Sequence, residues 1–180
     1  MERPTASVVA YVGAAVLVAA VLSGYPARWF RSARTAELNP ITRRAAVPDF
    51  TLPALEGGSW RLGEHAGRVV VLNFWATWCG PCREETPEFV RIYQRYRSRG
   101  LEIAGIALDE DPHAVVPSFV RRFGVPYPVL LPGPDFVLSG YVEHLPTTLT
   151  LDRRGRIAWS WIGRVSEDQL VDAIERLLEE

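Results

Sequence analysis

Lysine is absent from this 180-residue chain, so every one of its 20 basic residues is arginine and a catalytic lysine is excluded. Cysteine is nearly absent: Cys79 and Cys82 are the only two. The three histidines, His65, His113 and His144, have no finger-like spacing to each other or to the cysteines. Four-coordinate zinc needs four ligands, so a metal site has little to draw on. A surplus of positive charge is also missing. Residues 1–46 hold six arginines against Glu2 and Glu37, a balance of +4, which leaves 14 arginines against 19 acidic residues, or −5, for residues 47–180. A mildly acidic body lacks the basic face that phosphate neutralisation requires, so nucleic acid is not an expected partner.

With 48% apolar and 23% charged residues, the composition is that of a globular domain plus an appendage. The appendage is N-terminal. No charge occurs between Arg3 and Arg28, and "SVVAYVGAAVLVAAVLSG" from Ser7 to Gly24 is almost wholly apolar, close to the roughly 20 residues that span a bilayer. Residues 1–27 are therefore read as a membrane segment. An uncleaved anchor is favoured over a cleaved signal peptide because the positive n-region is thin and no small-x-small site follows. Arg28, Arg31 and Arg34 flank the span on its C-terminal side, and a literal positive-inside count would place the C-terminal domain in the cytoplasm. Residues 28–46 are polar without amphipathic period and read as a tether.

Residues 47–180 read as an α/β domain. "VPDFTLPALEGGSWRLGEH" suggests two short extended pieces around Gly57-Gly58, with Phe50, Leu52 and Trp60 supplying apolar contacts. "RVVVLNFWA" and "LEIAGIAL" are continuous apolar runs of strand length, the mark of central strands buried on both faces. Between them Glu85, Phe89, Ile92, Tyr93 and Tyr96 recur at helical spacing, ending at Gly100 as a C-cap, with Pro87 expected to kink the helix. A helix over Ala114–Phe123, a short strand at "YPVLL", a hairpin through Gly155 and a last helix capped by Ser166 complete the pattern. The expected sum is a mixed sheet with helices on both faces. Trp75, Trp159 and Trp161 are expected in the core or on the sheet.

The stretch "TWCGPCREE" carries the chemistry. As a purely structural staple the cysteine pair would close a very small loop and remove little entropy from the unfolded chain. As a redox pair every residue has a reason. A buried strand ending at Trp75 delivers the chain to the sheet edge, and a helix starting near Cys79 tolerates Pro81 in its first turn. Cys79 then sits at the positive helix end, where a thiolate is stabilised, and Cys82, one turn on and facing inward, can resolve a mixed disulfide.

"FWATWCGPC", "LPTT" at Leu145–Thr148 and the order of elements resemble the thioredoxin fold. The "VPDFTLP" opening and the N-terminal span are most similar to the membrane-anchored TlpA/ResA-like thiol–disulfide oxidoreductases, over about Val47 to Leu178. The resemblance implies that Cys79 attacks, Cys82 resolves, and Pro146 is a cis-proline facing the disulfide, leaving the Leu145 backbone to pair with an extended substrate. Trp78, Gly80 and Pro81 would border the substrate, with Glu143 and His144 near its groove. Where thioredoxin has a buried aspartate, this chain has Asn73, which cannot titrate. Glu85, matched by a glutamate in ResA-like proteins, is the expected acid–base group, because a partly buried carboxyl has a raised pKa; the alternative is a solvated glutamate paired with an arginine.

The implied function is disulfide reduction in client proteins on the periplasmic side of the cytoplasmic membrane. It would use no cofactor beyond the Cys79–Cys82 couple and would be fed by a membrane thiol-electron transporter. Apocytochrome c, or an oxidase copper site under assembly, would be the client. That placement runs against the arginine count. Two other classes fit less well. Peroxiredoxins would need proline at Leu72 and threonine at Ala76. Copper chaperones of this fold usually space their cysteines by three residues and add a histidine; a non-catalytic anchored docking module is the remaining alternative.

Overall fold

A computed structural model describes residues 36–133 and 136–180. Among these no helix is long and apolar enough to cross a membrane, and the apolar segment expected at 1–27 lies outside them. The architecture is a five-stranded mixed sheet in the order β5-β4-β3-β6-β7, with a separate β1-β2 hairpin. The strands are β1 (Thr51–Pro53), β2 (Ser59–Arg61), β3 (Val69–Trp75), β4 (Leu101–Ala107), β5 (Val129–Leu130), β6 (Thr147–Leu151) and β7 (Ile157–Ile162); the helices are α1 (Gly80–Tyr96), α2 (Pro112–Phe123) and α3 (Glu167–Leu178).

The two apolar runs form the sheet centre. Every residue of β3 and β4 is buried, and the two pair in parallel from Val69↔Leu101 to Trp75↔Ala107. Their C-terminal ends therefore lie side by side. On its other edge β3 pairs antiparallel with β6, Phe74 facing Thr147, so the start of β6 reaches the same end of the sheet. That end holds the site.

The β-strand period of two divides the core. Val69 and Val71 of β3 and Leu101 and Ile103 of β4 pack with Phe89 and Ile92 of α1 and with Leu170 and Ile174 of α3. Trp75 and Ala107, on that same face, meet Val116 and Phe119 of α2. Each fully buried side chain of this size contributes roughly 1.5–3 kcal/mol. All three α-helices thus cover one face, and the expectation of helices on both is met on one only. On the opposite face Val70, Leu72, Phe74 and Ile106 pack instead under Phe50, Leu52 and Trp60 of the hairpin region and under Phe136 and Leu138. Those last two residues lead into a single 3-10 turn, Ser139–Tyr141. Bulky aromatics on short extended segments do there what a helix stripe would do.

The expected tether also differs in its described part. Residues 36–46 are docked along β7 and α3: Asn39 N–H donates to Ala158 C=O at 2.7 Å and Ile157 N–H to Ala45 C=O at 2.8 Å, while Ala36 N–H donates to Asp172 at 2.9 Å. Arg44 is buried against Asp152 at 3.2 Å and Glu180 at 2.6 Å. The folded body therefore includes residue 36, not only residues from 47 onward. Gly57 and Gly58 take the positive φ angles, 98° and 75°, that the β1-β2 turn requires. Ser166 caps α3 through a complete capping box with Gln169. Pro87 lies inside α1, which runs on to Tyr96.

Candidate active site

Three backbone features converge at the C-terminal end of β3. The chain leaves Trp75 into a turn closed by Cys79 N–H donating to Ala76 C=O at 3.2 Å. Cys79 is the N-cap of α1, with Gly80 and Pro81 in the first turn, and its Sγ accepts from Cys82 N–H at 3.3 Å. An unpaired N–H at a helix start is the donor that stabilises negative charge on sulfur. Cys79 and Cys82 are joined as a disulfide, their Cα atoms 5.3 Å apart. From the β6 side, the Leu145–Pro146 peptide is cis.

A groove of about 560 Å³ runs past the disulfide, lined by Trp78, Cys79, Gly80, Pro81, Leu108, Val142, Glu143, His144 and Leu145. Every residue expected to border a substrate is in it. Trp78 is 69% exposed, a large aromatic surface beside the sulfur. Leu145 stands ahead of the first β6 ladder pair, Thr147↔Phe74, so its backbone lies outside the sheet. Cys79 faces this groove but is only 5% exposed, against 1% for Cys82. The order of exposure is as expected. The enclosure of Cys79 is tighter than expected, its sulfur being bonded to buried Cys82.

Behind the disulfide lies the carboxyl of Glu85, 1% exposed. Its Oε1 accepts from Asn73 Nδ2 at 3.0 Å and its Oε2 from Val165 N–H at 3.1 Å. Asn73 Nδ2 also donates to Thr148 Oγ1 at 3.3 Å, which ties the carboxyl to both β3 and β6. Burial pushes the Glu85 carboxyl from its ordinary 4.5 up to about 7, and the hydrogen bonds from Val165 and Asn73 pull against that rise. It is therefore no solvated helix glutamate, and no arginine forms an ion pair with it among the described residues. Tyr127, beside it, has its phenol pushed up by burial first and by the Glu85 charge second.

Thr148, in the "LPTT" stretch but without an expected role, and Asp109, which does not stand out in the sequence, also belong to the site. Asp109 follows β4, and its carboxylate accepts from Thr77 N–H at 3.1 Å and from Thr77 Oγ1 at 2.6 Å. The available signal was the parallel pairing itself: two seven-residue apolar runs ending together put the residue after "GIAL" beside the residue after "FWA". Glu143 and His144 are exposed on the groove rim. Trp75 and Trp159 are buried, and Trp161 is half-buried.

Residues 44–160 match the model of the AhpC/TSA family. The chain is 37% identical over 144 residues to the thiol-disulfide oxidoreductase ResA of Geobacillus kaustophilus, covering 79% of this chain and 80% of that protein. To ResA of Geobacillus thermodenitrificans it is 34% identical over 142 residues, covering 78% and 81%. Among solved structures, the thiol:disulfide interchange protein of the thioredoxin family from Chlorobium tepidum superposes with a TM-score of 0.68 at 27% identity, covering 76% of this chain and 97% of that one. With a cysteine pair at a helix start beside a cis-proline and relatives of this kind, the chain belongs to the AhpC/TSA family of the thioredoxin fold, as a ResA-like thiol–disulfide oxidoreductase.

Proposed function

We propose that this oxidoreductase works as a reductant of protein disulfides, anchored by residues 1–27 in the cytoplasmic membrane with its folded domain on the outer, periplasmic side. The observation that carries the reading is the gradation of exposure along the start of α1: Cys79 lines the groove, while Cys82 and, three residues further along the helix, Glu85 are each 1% exposed.

In the reduced protein the Cys79 thiolate attacks one sulfur of a client disulfide held along Trp78 and the Leu145–Pro146 turn. A Cys79–client disulfide forms and the second client sulfur leaves as a thiolate. Glu85, with a pKa of about 7, takes the proton of the Cys82 thiol at neutral pH. The Cys82 thiolate attacks Cys79 Sγ, releases the first client sulfur, and leaves the Cys79–Cys82 disulfide. The client gains two electrons and the enzyme loses two. A membrane dithiol carrier restores the enzyme. The arginines that follow the span argue for the opposite orientation, but the anchor together with similarity to ResA proteins supports the outer side. Apocytochrome c, whose haem-attachment cysteines must be reduced before ligation, is the proposed client; a copper-site assembly protein is the second.

Expressing Cys82→Ala in the native host tests this. Adducts through Cys79 to a client bearing paired cysteines outside the membrane are expected. Adducts confined to cytoplasmic proteins, or none that depend on Cys79, would remove the proposal.

A further inference from the structure

The turn that presents the nucleophile is held from outside its own helix. Leu108 N–H donates to Trp75 C=O at 2.9 Å, which carries the β3-β4 pairing one residue past β4 and brings Asp109 alongside Thr77. Both carboxylate oxygens of Asp109 then accept from Thr77 N–H at 3.1 Å, and Oδ1 also accepts from the Thr77 hydroxyl at 2.6 Å. Thr77 is the second residue of the Ala76–Cys79 turn, and the next two residues are exposed Trp78 and Cys79. A carboxylate that engages a backbone N–H and a side-chain hydroxyl of one residue fixes that residue in position and direction. These bonds hold the turn with Cys79 at the groove.

The same carboxylate carries charge. Consecutive Cα atoms are 3.80 Å apart, so the Cα atoms of Thr77 and Cys79 are within about 7.6 Å of each other, comparable to the screening length of about 8 Å at physiological salt. The other charged groups near the sulfur are Arg83 in the first turn of α1, Glu143 and His144 across the groove, and Glu85 behind it. Among the described residues none of their side chains hydrogen-bonds to the turn, Arg83 reaching it only by its backbone N–H to Cys79 C=O at 3.2 Å; the Asp109 carboxylate does. Negative charge at this position opposes a thiolate on Cys79, which exists only in the reduced centre. The disulfide bears no charge and is not penalised. A carboxylate here therefore disfavours the dithiol relative to the disulfide, and a less stable dithiol is a stronger electron donor.

We propose that Asp109 is a positioning residue that fixes the Thr77–Cys79 turn and at the same time biases the Cys79–Cys82 couple towards the reducing side. This rests on Cys79 being the exchange nucleophile. It assigns the reducing character in part to a residue thirty positions past Cys79, in the segment that follows β4.

The test uses the full-length protein in detergent, equilibrated with reduced and oxidised glutathione, and the pH profile of Cys79 alkylation by iodoacetamide. Two reduced glutathione molecules convert the disulfide to the dithiol and become one oxidised glutathione. Asp109→Asn keeps an acceptor for Thr77 and removes the charge. It is expected to shift the glutathione equilibrium towards the dithiol roughly twofold to fifteenfold, the range for one charge about 10 Å away near a protein surface. Its alkylation profile should move to lower pH, with the urea midpoint unchanged. Asp109→Glu, which restores the charge, should return the equilibrium towards wild type. If Asp109→Asn matches wild type in both equilibrium and alkylation profile, the proposal is overturned, whatever Asp109→Ala does to stability. A wild-type protein that does not exchange with glutathione through Cys79 at all would instead overturn the exchange reading beneath it, and is recognised before any variant is compared.

Discussion

Replacing Glu85 with glutamine should remove a loss of stability with rising pH that a buried, raised carboxyl explains. Folding moves the carboxyl from 4.5 to about 7, which corresponds to about 3 kcal/mol of preference for the protonated form in the folded state. Because the folded pKa is the higher one, the folded protein binds more protons than the unfolded chain within that interval. Its contribution is complete below about 4.5, declines as pH rises, and is lost above about 7. Glutamine is neutral throughout and keeps the size of glutamic acid. Its oxygen can still accept from Val165 N–H, and its amide can donate to Asn73 once the Asn73 side chain turns its oxygen inward, where that oxygen can also accept from the Thr148 hydroxyl in place of the present Asn73–Thr148 bond. Urea unfolding of the oxidised wild type and of Glu85→Gln, at several pH values between 5 and 8.5, gives the difference directly. The variant should gain on wild type as pH rises, reaching about 3 kcal/mol at the alkaline end. A difference that stays constant across this range would refute the reasoning, since it would mean that the carboxyl titrates alike in the folded and unfolded chain.

Two further outcomes are expected from packing and from the docked N-terminal segment. A Cβ added at Gly105 would lie 2.8 Å from Trp75 Nε1 and 3.3 Å from Tyr127 Cε2, so Gly105→Ala should destabilise by about 1–3 kcal/mol through overpacking directly beneath the site, measurable by urea unfolding. Arg44→Ala removes the partner shared by Asp152 and Glu180; a loss of about 3 kcal/mol is expected, together with new protease cleavage between residues 36 and 46, while Arg44→Met should cost less.

The parts of the fold legible in the sequence were those determined by local pattern. "RVVVLNFWA" and "LEIAGIAL" read as central strands, the Gly57-Gly58 and Gly155 turns marked their hairpins, and Ser166 announced the last helix. What stayed hidden depends on partners far along the chain. Arg44 lies in a stretch that reads as polar tether, yet it is buried because Asp152 and Glu180 meet it 108 and 136 residues later. The absent helix on the second sheet face is another case: Phe50, Trp60 and Phe136 fill that space from short extended segments, and nothing in their spacing shows that they converge. At the site the cysteine pair was legible from its own motif, and Pro146, Asn73 and Glu85 through the resemblance to thioredoxin-fold proteins. Asp109 was not, since its role depends on strand register across β3 and β4.

Single-turnover mixing of the fully reduced protein with a disulfide-bonded peptide carrying a haem-attachment cysteine pair, with products resolved by mass spectrometry, tests the central claim most directly. Wild type should yield reduced peptide and the Cys79–Cys82 disulfide in equal amounts, Cys82→Ser should stop at a one-to-one adduct on Cys79, and Cys79→Ser should leave the peptide oxidised. Peptide reduction by Cys79→Ser at the wild-type rate, or an adduct on Cys82 in the wild type, would contradict it.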